Sequence, residues 1–124
     1  MKILLAEDDA NISTIAKLAL EQVGGHEVHV AADGEVALRR ITSEKFDLIL
    51  LDEMMPKMNG LTVCEEYSKW QYREAPVIFM SANVQKERHL NGAAIGFIPK
   101  PFDPIELPVQ ILNIYNESKN KKSA

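Results

Sequence analysis

Residues 48–52 read Leu-Ile-Leu-Leu-Asp, an uninterrupted apolar run that stops at an acid. Three further apolar runs also end at polar residues: residues 3–6 precede Glu7, residues 77–80 precede Ser81, and residues 97–98 lead through Pro99 to Lys100. Short continuous apolar runs are typical of strands in a parallel sheet that is buried on both faces. Because such strands end at the same edge of the sheet, we expect these polar residues to meet in one pocket.

Amphipathic stretches alternate with the apolar runs and predict helices. The predicted elements, in chain order, are a first strand at residues 3–6, a helix over 12–23, a strand over 28–31, a helix over 35–44, a strand over 46–51, a helix from Asn59-Gly60, a strand over 77–80, a helix over 84–94, a strand over 96–98 and a last helix announced by Asp103. Pro108 is expected to distort or delay the first turn of that last helix. Five strands alternating with five helices indicate a doubly wound α/β sandwich.

The bulk composition of the 124 residues is that of a single globular domain, which we place at residues 1–118 with a short basic tail at 119–124. The net charge of −4 argues against direct binding of nucleic acid. No apolar run approaches the roughly 18 residues that span a bilayer, so we expect no membrane segment. The single cysteine, Cys64, is expected in the core and fits a cytoplasmic protein.

Three carboxylates are expected to crowd together at the sheet edge. Glu7 and Asp8 follow the first strand and Asp52 ends the third, while Asp9 is better placed to cap the next helix. Two like charges about 5 Å apart repel by roughly 3 kcal/mol at an effective dielectric constant near 20. Protonating one carboxylate or binding a cation relieves this repulsion. For a cation, oxygen-only ligation suits Mg²⁺ best, with Mn²⁺ a close substitute.

Lys100 is the cationic partner expected in this pocket. Pro99 and Pro101 restrict its backbone, and the Lys100-Pro101 bond is a candidate cis peptide. The hydroxyl of Ser81 is able to donate to an anion held among these groups. One chemistry uses all of these parts: a carboxylate attacks a phosphoryl group while the metal and the ammonium neutralise its oxygens.

At these residues the chain resembles the receiver domains of two-component response regulators, over essentially residues 2–117. Six segments carry the resemblance: residues 3–9 (ILLAEDD), 32–38 (ADGEVAL), 47–56 (DLILLDEMMP), 58–61 (MNGL), 76–82 (PVIFMSA) and 96–102 (GFIPKPF). The resemblance implies a flavodoxin-like receiver fold with strand order 2-1-3-4-5.

The resemblance also implies a role for each matched residue. Asp52 corresponds to the phosphoacceptor. Asp8 and Asp52 would bind the metal directly, Glu7 would bind it through water, and the backbone carbonyl of Met54 would supply the remaining protein ligand. The Met54 side chain would then matter little for coordination.

Two further positions match residues that respond to the phosphate in this family. Ser81 stands where receivers have Ser or Thr, and Lys100 where they have a lysine. Phe97 occupies the aromatic switch position, although ordinary core packing accounts for it almost equally well.

The resemblance implies a phosphorelay component that receives its phosphoryl group from a histidine kinase or a histidine phosphotransfer protein. Such a chain catalyses only its own phosphorylation and dephosphorylation, and so is not counted as an enzyme. Phosphorylation would switch the surface made by the fourth predicted helix, the fifth strand and the last helix, which would bind a downstream protein target. Whether phosphorylation also drives a homodimer is left open.

Several alternatives remain beside this interpretation. The chain is expected to be stand-alone and similar to a chemotaxis regulator, but it is alternatively the receiver part of a longer transcriptional regulator. A phosphorylation-independent receiver-like scaffold is disfavoured because every chemical position holds an acceptable residue. An aspartate-nucleophile phosphatase needs a second acid where this chain has Met54. A flavin-binding protein would need a Ser/Thr/Gly-rich phosphate loop after the first strand, where this chain has Glu7-Asp8-Asp9.

Overall fold

A computed structural model of the chain describes residues 1–71, 73–82 and 92–123, with residues 121–123 as backbone only. Its centre is a five-stranded parallel sheet in the order β2-β1-β3-β4-β5. The strands are β1 (Lys2–Ala6), β2 (Glu27–Ala31), β3 (Leu48–Asp52), β4 (Val77–Ser81) and β5 (Ala94–Pro99). The predicted parallel sheet and its strand order are therefore confirmed.

Four α-helices lie in the described ranges: α1 (Ala10–Leu18), α2 (Gly34–Ser43), α3 (Gly60–Ser68) and α4 (Leu107–Ser123). α1 runs directly into a π-helical turn, Ala19–Val23, which completes the helix predicted over residues 12–23. The sequence predicts five helices rather than four. The additional one, over residues 84–94, falls mostly on residues 83–91, which lie outside the described residues.

The predicted end of that helix at Ala94 is wrong. Residues 92 and 93 form a turn, and Ala94 already belongs to β5, where it pairs with Val77. The backbone N–H of Val77 also donates to the carbonyl of Ala93 at 2.8 Å. Hydrogen bonding to β4 therefore extends β5 beyond the three residues predicted, because pairing with a neighbouring strand overrides a weak local helix preference.

Helices cover both faces of the sheet. α2 and α3 pack on one face, on a cluster that includes Leu4, Ile49, Leu51 and Tyr67. α1 and α4 pack on the other face, on a cluster of the alternate strand residues. Every residue of β3 and of β4 is buried, which explains why these strands are continuous apolar runs instead of alternating ones.

The start of α4 is delayed, as Pro108 predicts. Asp103 closes a turn ahead of the helix, because its carboxylate accepts from the Ile105 N–H at 2.9 Å and its carbonyl accepts from the Leu107 N–H at 2.9 Å. Pro108 then occupies the second helical position, where its missing N–H costs no helical hydrogen bond. α4 continues through Ser123, so residues 119–123 extend the helix at the place where we predicted a basic tail.

Cys64 lies in the core on α3, as predicted, and burial raises the pKa of its thiol. None of the helices in the described part of the chain combines the length and the hydropathy required to cross a bilayer.

Candidate functional site

The polar residues predicted to meet do so at the carboxyl edge of the sheet. Glu7 directly follows β1, and Asp52 and Ser81 are the last residues of β3 and β4. Register brings them level, since Ala6 pairs with Leu51 and Asp52 pairs with Met80. Glu7, Asp52 and Ser81 are all buried, with at most 4% of each exposed. The ends of three strands thus place three buried polar residues next to one another at the edge of the sheet.

The three carboxylates expected to share a cation are close together. Glu7, Asp8 and Asp52 each place one carboxylate oxygen within 4.8 Å of the others. Asp8 is exposed to solvent, so an ion would enter from its side of the cluster. Asp9 does not join them, because its carboxylate caps α1 by accepting from the N–H groups of Asn11 and Ile12 at 2.8 and 3.2 Å. Both the predicted cluster and the predicted cap are therefore confirmed.

Lys100 reaches this cluster from the end of β5. Its ammonium Nζ lies 2.7 Å from Glu7 Oε1 and 3.2 Å from Asp52 Oδ2. The backbone N–H of Lys100 donates to the Ser81 carbonyl at 2.8 Å, and the Lys100-Pro101 peptide is cis, as the sequence suggested. The structure therefore brings the predicted side chains of Glu7, Asp52 and Lys100 together, although Glu7 and Lys100 are 93 residues apart in the chain.

The direct pairing of Glu7 with Lys100 is a feature that the sequence did not predict. We expected Glu7 to serve the metal and Lys100 to serve the phosphate, yet their ion pair is shorter than the one between Lys100 and Asp52. The available signal was that both residues follow apolar runs that predict strands. Which carboxylate the ammonium approaches more closely depends on side-chain geometry rather than on sequence spacing.

Burial and mutual repulsion make it unfavourable for all the carboxylates of the cluster to be ionised at once. Burial raises the pKa of Glu7 to about 7, and the nearby Asp52 adds to this rise, while the hydrogen bond from Lys100 opposes it. Burial lowers the pKa of Lys100, but the carboxylates of Glu7 and Asp52 outweigh that effect and leave its pKa raised. One ammonium therefore does not compensate the cluster fully at neutral pH.

The donor set fits a hard divalent cation such as Mg²⁺. All the side-chain groups are carboxylates, one is open to solvent, and the cluster has a deficit of positive charge. The loop after β3 adds backbone groups: the N–H of Met54 lies 3.4 Å from Asp52 Oδ1, and the Met54 side chain is 79% exposed. A peptide carbonyl at this position is compatible with the ligand role that we predicted for Met54.

A glycine at the start of α3 lies against the backbone of Asp52. A Cβ on Gly60, the first residue of α3, would lie 2.3 Å from the carbonyl oxygen of Asp52. The N–H of Gly60 also donates to the Glu53 carbonyl at 3.0 Å. The start of α3 therefore packs directly against the backbone of the predicted phosphoacceptor. The Asn59-Gly60 pair, a capping residue followed by glycine, was the signal for this contact.

Phe97 lies on β5 beside the site. Its ring stacks on Phe79, with the centroids 5.6 Å apart and the planes at 24°. The two residues are paired across β4 and β5, and Phe97 is only partly buried. This packing accounts for Phe97 structurally, and its switch role stays a prediction.

Known proteins with similar sequences include response regulators. A family model described as "Response regulator receiver domain" matches residues 3–112. The transcriptional regulatory protein RprY of Bacteroides fragilis is 36% identical over 126 residues, which cover 99% of this chain and 52% of that protein. The chain spans about half the length of the curated relatives it matches.

Solved structures of receivers have the same fold. The receiver domain of the Francisella response regulator 1452 superposes with a TM-score of 0.81 at 32% identity, covering 94% of this chain and 98% of that one. The Thermotoga maritima response regulator TrrA, solved in complex with Mg²⁺-BeF, gives a TM-score of 0.78 at 32% identity, covering 91% of this chain and 97% of that one. With the family model covering most of its length, the chain belongs to the response regulator receiver domain family of two-component systems.

Proposed function

We propose that this receiver accepts a phosphoryl group on Asp52 from a phosphohistidine, in a reaction that depends on Mg²⁺. The observation that carries the proposal is the position of the Asp52 carboxylate. It is buried at the end of β3, it lies 3.2 Å from Lys100 Nζ, and it lies within 4.8 Å of carboxylate oxygens of Glu7 and Asp8. A nucleophilic carboxylate is thus surrounded by the groups that phosphoryl transfer requires.

The metal site is assigned to Asp8, Asp52 and the backbone carbonyl of Met54, with Glu7 acting through water. A bound Mg²⁺ would neutralise the oxygens of the incoming phosphoryl group. Asp8 suits direct binding because it is the exposed member of the cluster. Glu7 suits an indirect role because one of its oxygens already accepts from Lys100. Mn²⁺ is proposed as a substitute, since the donor set is the same.

Lys100 and Ser81 are proposed to hold the phosphate once it is formed. In the unphosphorylated state the Lys100 ammonium is bound to two carboxylates. Phosphorylation of Asp52 replaces one of these with a dianionic group, which would draw the ammonium toward itself. Ser81 ends the neighbouring strand and is buried beside the site, so its hydroxyl is a second group for the new oxygens.

The switch is proposed to pass from Ser81 and Phe97 to the surface formed by β5, α4 and the segment between β4 and β5. β5 pairs with β4 along its length, and Ser81 pairs with Pro99. A shift at the end of β4 therefore acts directly on the strand that carries Phe97 and Lys100. Two populations of this surface, differing in affinity for a downstream protein, would convey the signal.

The proposed partners are a histidine kinase or a histidine phosphotransfer protein upstream and a protein target downstream. A phosphorylation-dependent homodimer is a further outcome of the same switch. The chain would catalyse only its own phosphorylation and dephosphorylation, in the cytoplasm. Because it covers about half of its curated relatives, which are named as transcriptional regulators, the receiver of a longer regulator is a second candidate.

The test is phosphorylation of the purified chain with a small-molecule acyl or amide phosphate, followed by mass spectrometry of the intact protein. The wild type should gain one phosphoryl group with Mg²⁺ and none with EDTA, and Asp52→Asn should gain none. Asp47→Asn, which changes an acid whose carboxylate accepts from the Lys2 N–H instead, is the matched control and should be phosphorylated normally.

The same experiment separates the proposal from a phosphorylation-independent scaffold. A scaffold would acquire no label under any condition, and it would not bind beryllofluoride in the presence of Mg²⁺. Labelling of Asp52→Asn at the wild-type rate would place the phosphoacceptor elsewhere. Phosphotransfer from each histidine kinase of the source organism would then identify the upstream partner by its rate.

A further inference from the structure

The loop between β3 and α3, residues 53–59, has an unusual backbone at its centre. Lys57 has a φ of +69°, which is uncommon for a residue with a Cβ. The N–H of Met58 donates to the Pro56 carbonyl at 2.8 Å, closing a three-residue γ-turn around Lys57. γ-turns with positive φ are rare and strained, and they persist only where the surroundings hold them. The loop therefore needs an external support.

The start of α2 supplies that support through a backbone contact. A Cβ on Gly34, the first residue of α2, would lie 1.8 Å from the Met58 carbonyl oxygen and 2.6 Å from its carbonyl carbon. The N–H of Gly34 also points at the Pro56 carbonyl, at 3.5 Å. Two of the three residues in the γ-turn thus touch a glycine that no larger residue can replace without moving the loop.

Asp33 adds a side-chain contact to the same turn. One of its carboxylate oxygens caps α2 by accepting from the Val36 N–H at 2.9 Å, and the other lies 3.7 Å from Lys57 Nζ. The Asp33 side chain is only 15% exposed. One residue therefore links the helix cap to the residue with the strained backbone.

We propose that Asp33 and Gly34 are positioning residues for the metal site, because they fix the loop that carries the Met54 carbonyl. This inference rests on the proposed function. Neither residue belongs to the carboxylate cluster: Asp33 caps the helix that follows β2, and Gly34 is the first residue of that helix. They act by restricting the loop at Pro56, Lys57 and Met58, so that the carbonyl of Met54 is presented with little freedom. Outer contacts of this kind commonly affect metal affinity without touching the ion.

The test is titration of the purified chain with Mg²⁺ alone, by calorimetry or by NMR, in Gly34→Ala. This change alters no charge, so a changed affinity reports a changed geometry. We expect Mg²⁺ to bind roughly tenfold more weakly. The matched control is Gly24→Ala: a Cβ there would lie 2.7 Å from the Leu20 carbonyl, at the far end of the helix that follows β1. That variant should lose stability but keep its Mg²⁺ affinity.

A second pair of variants covers the case in which Gly34→Ala does not fold. Asp33→Asn keeps a capping side chain but removes the charge facing Lys57, and it should weaken Mg²⁺ binding by about two- to threefold. Glu35→Gln removes the same charge from the neighbouring exposed residue and serves as its control. Only a difference between Asp33→Asn and Glu35→Gln counts as a positional effect.

Each outcome decides the question. Weaker binding in the folded Gly34→Ala, or in Asp33→Asn relative to Glu35→Gln, supports the positioning role. Wild-type affinity in Asp33→Asn together with wild-type affinity, or failure to fold, in Gly34→Ala overturns it. If the wild type itself binds no Mg²⁺, the proposed function fails and the positioning role fails with it, whereas a normal wild type with unaffected variants contradicts the positioning role alone.

Discussion

The ammonium of Lys100 lies 2.7 Å from a carboxylate oxygen of Glu7, a residue that is only 2% exposed. The same ammonium lies 3.2 Å from Asp52. In the metal-free protein, the Lys100 ammonium therefore forms ion pairs with two buried carboxylates at once. Such a pocket is expected to be costly to maintain and to respond to any added positive charge, whether a proton or a metal ion.

Glu7→Gln should reduce the pH dependence of stability in the metal-free protein. The pKa of Glu7 is raised to about 7 in the folded state, above its ordinary value of 4.5. Between these values the folded state binds more protons than the unfolded state, so stability falls as the pH rises, by about 2–3 kcal/mol for this group. Urea unfolding in EDTA at several pH values between 4.5 and 8 measures the effect.

At pH 8 the Glu7→Gln variant should therefore be more stable than the wild type, and the difference should shrink toward pH 4.5. Glu65→Gln, on the exposed face of α3, is the control and should follow the wild-type curve. Parallel pH profiles for wild type and Glu7→Gln would show that the carboxyl of Glu7 is not perturbed.

Lys100→Met should destabilise the metal-free protein by about 3 kcal/mol, because it leaves Glu7 and Asp52 buried without their cation. Saturating Mg²⁺ should recover much of this loss, since the ion replaces the missing positive charge. Unfolding with denaturant, in EDTA and in Mg²⁺, measures both effects. Lys69→Met, which removes a 72%-exposed lysine paired with Glu66, should change stability by less than about 0.5 kcal/mol. Equal losses in the two variants would argue against a buried, shared ion pair.

Gly60→Ala should lower stability by about 1–3 kcal/mol, because its Cβ would overlap the carbonyl oxygen of Asp52. The rate of phosphorylation should fall with it, since relief of the overlap moves either α3 or Asp52, the proposed phosphoacceptor. Leu61→Ala changes the next residue of α3, whose side chain is 42% exposed, and should leave the rate unaltered. Unfolding curves and labelling time courses on the same samples separate the two effects. A normal rate in a destabilised Gly60→Ala would mean that the strand, not the helix, sets the position of Asp52.

Tyr67→Phe should destabilise the protein by about 1–3 kcal/mol without affecting phosphorylation. The buried hydroxyl of Tyr67 donates to the Ala75 carbonyl and accepts from the Ala75 N–H, both at 3.0 Å. Removing it leaves two buried backbone groups without their partner. Ala75 precedes β4, at the end of the sheet opposite Asp52 and Ser81, so the site should be unaltered. Tyr115→Phe, on α4, is the control for loss of a hydroxyl, and a reduced labelling rate in Tyr67→Phe alone would reveal coupling between the two sheet ends.

The residues at the site were predictable because each one closely follows an apolar run in the sequence. Asp52 ends a run of four apolar residues, and Ser81 ends another, so the strand pattern and the polar residue appear together in the sequence. Parallel strands necessarily place these ends at one edge. The cap formed by Asp9 and the delay caused by Pro108 were predictable for the same reason, since both depend on a few neighbouring residues.

Other features depend on contacts between distant segments. β5 starts at Ala94 because that residue pairs with Val77 of β4. The local sequence alone predicted that a helix would continue to Ala94. The approach of Gly34 to Met58 joins α2 to a loop 24 residues away, and nothing in either segment specifies that distance.

The sequence by itself therefore determined which segments form strands, the class of fold and which polar residues stand at the strand ends. These features follow from hydrophobic periodicity and from capping, which depend on neighbouring residues only. Only the tertiary structure decided that Lys100 binds Glu7 more closely than Asp52, and that Gly60 and Gly34, the first residues of two helices, lie against the backbone of Asp52 and of Met58. Those contacts arise from strand register and helix packing, whose free energies are shared among many residues far apart in the chain.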